Sequence, residues 1–151
     1  MERAIAQEIV YVGFWARVLA SLIDTICMML IIVPVLMAVY GRNYFAHAGD
    51  SAFAGPLDFV VQFVFPAVAI ILFWLARGAT PGKMLIGARV VDATTQGKLG
   101  TGQALLRYFG YYVSTIPLLL GLIWVGIDAR KQGWHDKIAG TVVIKVSKTR
   151  A

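Results

Sequence analysis

The sequence predicts an all-α integral membrane protein with three apolar helical regions, and three observations carry that expectation. First, 59% of the 151 residues are hydrophobic, only 15% are charged, and the mean hydropathy is +0.74. Soluble domains carry about 25% charged and 45–50% apolar residues. Second, long and predominantly apolar runs reach the roughly 20 residues that a helix needs to cross a bilayer core. Third, the formal net charge is +6, and the basic residues stand between and after those runs, where they can face acidic headgroups.

The first span is expected over residues 17–40. Gly13-Phe14-Trp15 leads into it, and a tryptophan suits the headgroup level. The run is too long for a signal-peptide core of about 7–15 residues and contains Asp24. Pro34 removes one backbone donor, so a kink near Leu30–Ile31 is expected. Residues 41–56, rich in glycine, read as a loop, and 57–76 as the second span with Pro66 at its middle.

Beyond Arg77 the pattern changes. Pro81–Ile86 reads as a short interfacial helix with Thr80 as its cap. Ala88–Ala93 and Thr141–Val146 are valine-rich and read as strands of a small two-strand ribbon on the cytoplasmic face. A third apolar region covers 103–128, with Thr101 as a candidate cap and Pro117 and Gly121 inside it. Residues 1–12 read as an interfacial lead-in, and the whole of 1–151 as one domain.

Charge placement gives orientation. The 41–56 loop has one basic residue, Arg42, whereas 77–107 has five, so the first loop faces outward and the N-terminus and second loop face the cytoplasm. The tail beyond Asp128 is also basic. One ordinary third span cannot leave both its ends on one side. Either the tail breaks the rule, or 103–128 is a hairpin broken near Pro117–Gly121, giving four helices. The hairpin is favoured because it lets the two strands meet.

Arg17 and Asp24 are seven residues apart, close to two turns, and share a helix face. A charged Asp well inside a span costs about 2.5–3.5 kcal/mol on insertion scales, so it faces a partner or a wet cavity. Asp24 is thus either a proton- or cation-handling group or an interhelical lock, with Arg107 and Tyr111 as candidate partners. Asp58 suits a helix N-terminus, and Asp128 suits a juxtamembrane ion pair with Arg130 or Lys131. Cys27 stands alone and reads as a packing residue. Ala16, Ala20 and Ser21 would allow close helix approach.

Several chemistries are not encoded. Gly78-Ala79-Thr80-Pro81-Gly82-Lys83 is one residue short of a phosphate loop and is followed by Met84. His47 and His135 stand in no metal-ligand spacing. No nucleophile–base pair, cofactor fingerprint or nucleic-acid fold signature is visible. The expectation is a protein that is not an enzyme and takes no cofactor, metal or nucleic acid.

An ordered set of short motifs then adds to this reading. They are Gly13-Phe14-Trp15-Ala16-Arg17, Leu22-Ile23-Asp24, Gly78 through Leu85, Gly87-Ala88-Arg89-Val90-Val91-Asp92, Gln103 through Tyr108, and Trp134 through Thr141. Together they resemble the RDD family of bacterial membrane proteins, named for one arginine and two aspartates, over about residues 11 to 146. The resemblance implies Arg17 as the arginine, Asp24 as the first aspartate, and Asp136 in preference to Asp128 as the second. Ala16 stands where a second basic residue often precedes the arginine. The resemblance implies a bacterial inner-membrane location and a suggested role in transport, with no substrate. Arg17, Asp24, Arg107, Asp128 and Asp136 are the expected ion-handling or structural polar site, and two function classes stay open. One is a transporter or cation/proton antiporter element, in which Asp24 alternates between protonated and cation-bound states and Arg17 tunes it. The other is an assembly subunit, in which the polar residues lock helices and the cytoplasmic face docks a protein. The expected surroundings are a bilayer with anionic lipids and, for transport, a homo-oligomer.

Overall fold

A computed structural model describes residues 8–47 and 53–147. The first seven residues, positions 48–52 of the first loop, and Lys148 and Arg150 of the basic tail lie outside the described residues.

The chain is mostly helical. Helix α1 (Phe14–Tyr40) is unbroken through Pro34 and ends at Gly41, whose N–H reaches Met37 O at 3.0 Å. A 3-10 turn, Arg42–His47, follows. The second apolar run is α2 (Pro56–Phe59), a π turn over Val60–Val64, and α3 (Phe65–Arg77). The π turn lies just ahead of Pro66. At 27 residues α1 is about 40 Å long. Both runs are long and apolar enough to cross a membrane.

Gly78 ends α3 in the left-handed region (φ 65°), and the chain turns into α4 (Pro81–Leu85). This short helix lies across α1: a Cβ on Gly82 would collide with the Ala20 backbone. Ala20 is fully buried there and serves packing within the chain, whereas Ala16 and Ser21 are exposed.

The expected two-strand ribbon has a third strand. β2 (Ala88–Asp92) pairs antiparallel with β3 (Thr141–Ser147), as the valine pattern suggests, but β1 (Glu8–Tyr11) pairs with the other edge of β3, giving the order β1-β3-β2. Ile9 and Tyr11 pack against buried Val91, Val142 and Ile144, which is what holds β1. Four residues were too few to announce a strand. The opposite side of the sheet supplies Ala88, Val90 and Val143 to a core with Trp74, Leu99 and Ala104. The sheet is thereby seated on the ends of α3 and of α5 (Thr101–Thr115).

The third region is not one continuous helix over 103–128. α5 is 15 residues, about 22 Å, which falls short of the roughly 30 Å hydrocarbon core. The chain then breaks at Ile116–Leu119 and resumes as α6 (Leu120–Ile123) and a 3-10 turn, Trp124–Gly126, bent by 112° from α5. Pro117 lacks a donor to continue the helix. Leu118 and Leu119 both take left-handed backbone (φ 54° and 64°), a reversal that L residues adopt only at a cost. The break falls near Pro117–Gly121 and the second arm is short, a geometry that a broken span and a re-entrant hairpin share. Its return carries α7 (Trp134–Ala139) back against α5, where Gly110 makes room for the His135 backbone. Gly100, not Thr101, is the N-cap of α5, and Thr101 is its first helical residue.

Candidate functional site

Arg17, in the first turn of α1, reaches back toward the sheet. Its Nη1 donates to Asp136 Oδ2 at 2.6 Å, its Nη2 to Lys131 O at 2.5 Å and its Nε to Val12 O at 3.1 Å. Asp136 is the third residue of α7, and the same Oδ2 accepts the Gly133 N–H at 3.0 Å, capping that helix. Its Oδ1 faces Arg107 of α5, whose Nη1 also donates to Thr141 Oγ1 of β3 at 2.6 Å. The Arg107 guanidinium lies over the Trp74 and Tyr111 rings, 5.2 and 5.7 Å from their centroids. Asp136 and Arg107 are wholly buried and Arg17 nearly so. One carboxylate thus bridges two guanidinium groups and ties α1, α5, α7 and β3 together.

The electrostatics follow from that geometry. Burial alone would raise the Asp136 carboxyl, but Arg107 and Arg17 outweigh it and hold the group well below the usual carboxylate range. Beside it, His135 stacks on Tyr111 at 4.0 Å, and Ser114 Oγ accepts its backbone N–H at 3.0 Å. Burial pushes the imidazole down to about 3; Asp136 opposes this, and Arg107, Arg17 and Lys83 add to it. Neutral His135 therefore belongs to the packing of this cluster at neutral pH.

Asp24 is elsewhere. It touches neither Arg107 nor Tyr111, the partners expected for it. Its Oδ2 accepts the Thr80 hydroxyl at 2.6 Å and its Oδ1 the Gly82 N–H at 2.7 Å. A carboxylate from α1 thus caps α4, and Thr80, expected to cap that helix with its own side chain, instead donates to Asp24. Two helices packed this closely, with Ala20 against Gly82, put Asp24 within reach of the free amides of the α4 first turn.

Asp128 lies in the return segment with its side chain largely covered. It pairs with Lys137 at 2.5 Å, rather than with Arg130 or Lys131 side chains, and accepts the Arg130 and Gln132 amides at 3.1 Å. No group of three or more His, Cys, Asp or Glu residues that could hold a metal occurs among the described residues.

A cleft of about 1280 Å³ opens between α1, α3 and α5. Asp24, Thr80, Lys83 and Tyr111 line its end near the sheet, and Tyr40, Tyr44, Asp58 and Gln62 line the other. Its walls between them are aliphatic and aromatic, as at Met28, Ile32, Leu36 and Phe73. Asp58, expected as a solvated or capping residue, is buried: Tyr44 Oη, Ala54 N and Gln62 Nε2 donate to it at 2.7, 2.8 and 2.6 Å.

With the arginine of α1 and the aspartate of α7 in contact, comparison with known families is decisive: the family model described as "RDD family" matches residues 11–140. The chain belongs to the RDD family. The uncharacterized membrane protein YteJ of Bacillus subtilis is 30% identical over 148 residues, covering 89% of this chain and 80% of YteJ. The uncharacterized protein YxaI of the same organism is 28% identical, covering 87% and 95%. The uncharacterized protein RP437 of Rickettsia prowazekii is 39% identical over 75 residues, so this chain spans only 41% of that relative. No solved structure matches the chain.

In this RDD chain, then, Arg17 and Asp136 form one buried unit, and Asp24 forms a second with Thr80 and Gly82. Three members of the site escaped the sequence: Asp58, His135 and Lys83. Lys83 is only 5% exposed. The one available signal was its place two residues after Pro81, on the first turn of an apolar-flanked helix.

Proposed function

We propose that this RDD protein lies in the bacterial inner membrane, crosses it twice through α1 and the Pro56–Arg77 run, and enters it a third time only part-way. In this reading it is a non-catalytic binding module that holds a membrane-resident guest in its cleft. The observation that carries the reading is the bareness of the helices. Only 6% of the most apolar stretch of either long helix is buried by protein. Leu22, Ile26 and Leu30 are 57%, 58% and 71% exposed, which is unfavourable in water and ordinary in lipid. α1 meets α4 at Ala20–Gly82 and the start of the second long run through Tyr40 and Asp58, and the cleft separates α1 from α3 between.

Topology is tested with single cysteines in a Cys27→Ala background, probed by a membrane-impermeant thiol reagent. Ala46→Cys is expected to react in intact cells, and Lys98→Cys and Ala129→Cys only after permeabilisation. Reaction of Ala129→Cys from the same side as Ala46→Cys would make the third region a full span and end the two-crossing reading.

An ion carrier is the competing reading, with Asp24 as its working carboxylate. Both oxygens of Asp24 are occupied by Thr80 and Gly82, which favours the lock. In proteoliposomes under a Na⁺ or K⁺ gradient, wild type and Asp24→Asn are expected to move no protons. Asp24→Asn is expected to lose about 1–3 kcal/mol of stability, the scale of a charge-assisted hydrogen bond. Proton flux in wild type that vanishes in a folded Asp24→Asn protein would reverse the assignment.

A further inference from the structure

The charged residues that line the cleft differ in one respect. They are Asp24, Asp58 and Lys83. Asp24 is engaged by Thr80 and Gly82 at the inner end. Asp58 is engaged by Tyr44, Ala54 and Gln62 at the outer end. Lys83 makes no hydrogen bond or ion pair to any described residue, although it is almost completely buried. Buried charges are ordinarily paired. Its charge acts on its neighbours Tyr111 and His135, neither of which is an anion that could neutralise it. From Asp24 to Tyr40 along α1 the cleft runs about 24 Å at 1.5 Å per residue, between walls that are predominantly apolar.

We infer that the cleft takes an acidic amphiphile, with its anionic head on the Lys83 ammonium at the inner end and its apolar tail along α1 and α3. This inference rests on the binding-module reading above and names its guest. The tail needs about half of the roughly 30 Å bilayer core, which the cleft exceeds. Tail burial discriminates little, because lipid hydrocarbon is as apolar as the cleft wall. Selectivity therefore lies in the head. A carboxylate or phosphate there accepts a charge-assisted hydrogen bond from Lys83 in a site shielded from water. A zwitterionic or neutral head leaves the ammonium unpaired or brings a second cation beside it. Both a free fatty acid and an anionic phospholipid carry the required chemistry.

The test is retention of amphiphile by purified, delipidated protein, read by native mass spectrometry with oleate, phosphatidylglycerol and phosphatidylcholine as separate probes. Wild type is expected to hold one acidic amphiphile about tenfold or more tightly than phosphatidylcholine, the scale of one buried charge-assisted contact. Preference for oleate or for phosphatidylglycerol identifies the source of the head. Lys83→Gln is expected to erase the preference and Lys83→Arg to keep it. Thermal stability without ligand should not fall in Lys83→Gln, because no protein partner is lost. Ala69→Phe, which fills the cleft wall far from Lys83, is expected to weaken all three probes. Equal retention of acidic and zwitterionic probes by wild type, or an unchanged preference in Lys83→Gln, overturns the head assignment. If Ala69→Phe nevertheless reduces retention, the cleft remains a binding site; if it does not, the binding-module reading fails as well.

Discussion

Replacing Asp136 by asparagine is expected to destabilise the folded protein by about 3–5 kcal/mol, the usual result of removing one partner from a buried ion pair. The size follows from what is left behind. Arg107 is fully buried and would face a neutral amide beside Thr141 in place of an anion. Arg17 would keep the carbonyls of Val12 and Lys131. The amide also loses charge at the α7 N-terminus, where Asp136 accepts the Gly133 N–H. Unfolding in detergent micelles measures the loss. The double variant Asp136→Asn/Arg107→Met should recover part of it, because the most deeply buried orphan charge is gone. A loss below about 1 kcal/mol in the single variant would mean that the bridge adds nothing beyond a surface pair.

Acidification is expected to weaken the fold through His135. Its ordinary value is 6.5 and its folded value about 3, so between the two the unfolded chain binds the extra proton. The contribution of neutral His135 is complete above pH 6.5, declines as pH falls, and is lost by about pH 3. From pH 7.5 to pH 5 the loss is about 2 kcal/mol. Asp136, held low, adds its own loss only once the pH drops below the ordinary carboxylate value near 4. His135→Gln should flatten stability between pH 7.5 and pH 5 while leaving the steeper loss below pH 4. An unchanged slope in that variant would assign the acid sensitivity to another group.

Some of this was legible in the sequence and some was not, for physical reasons. The long helices, α4 and the two valine-rich strands each rest on local signals: apolar length, a proline at a first helical position, β-branched alternation. Arg17 and Asp136 were placed by ordered motifs, yet their contact spans 119 positions of chain and leaves no local trace. Asp24 stood out because a carboxylate in an apolar run is expensive, but its partner was misassigned. The sequence suggested a neighbouring cation or phenol, and the structure supplies a hydroxyl and a backbone amide presented by α4. Asp58 looked like a cap because its neighbourhood is a helix start; its burial depends on Tyr44, which reaches it from the preceding loop. β1 was hidden by brevity. The break at Ile116–Leu119 was marked by Pro117, whereas the 112° bend depends on two leucines with left-handed backbone that composition does not flag.

The strand order has a consequence for biogenesis. β3 is the middle strand of the sheet, yet every other described element precedes it along the chain. On the two-crossing proposal, once α1 and the Pro56–Arg77 run have been synthesised and inserted, β1 and β2 have no edge to join, and Arg17 has not yet met Asp136. A polypeptide still emerging from the ribosome therefore carries two unpaired strand edges and two unmatched guanidinium groups on one side of the bilayer, and the cap closes only after Ser147 has been made. Stalling or truncation upstream of Thr141 would leave the inserted helices in place with that side open, a ready target for membrane quality-control proteases.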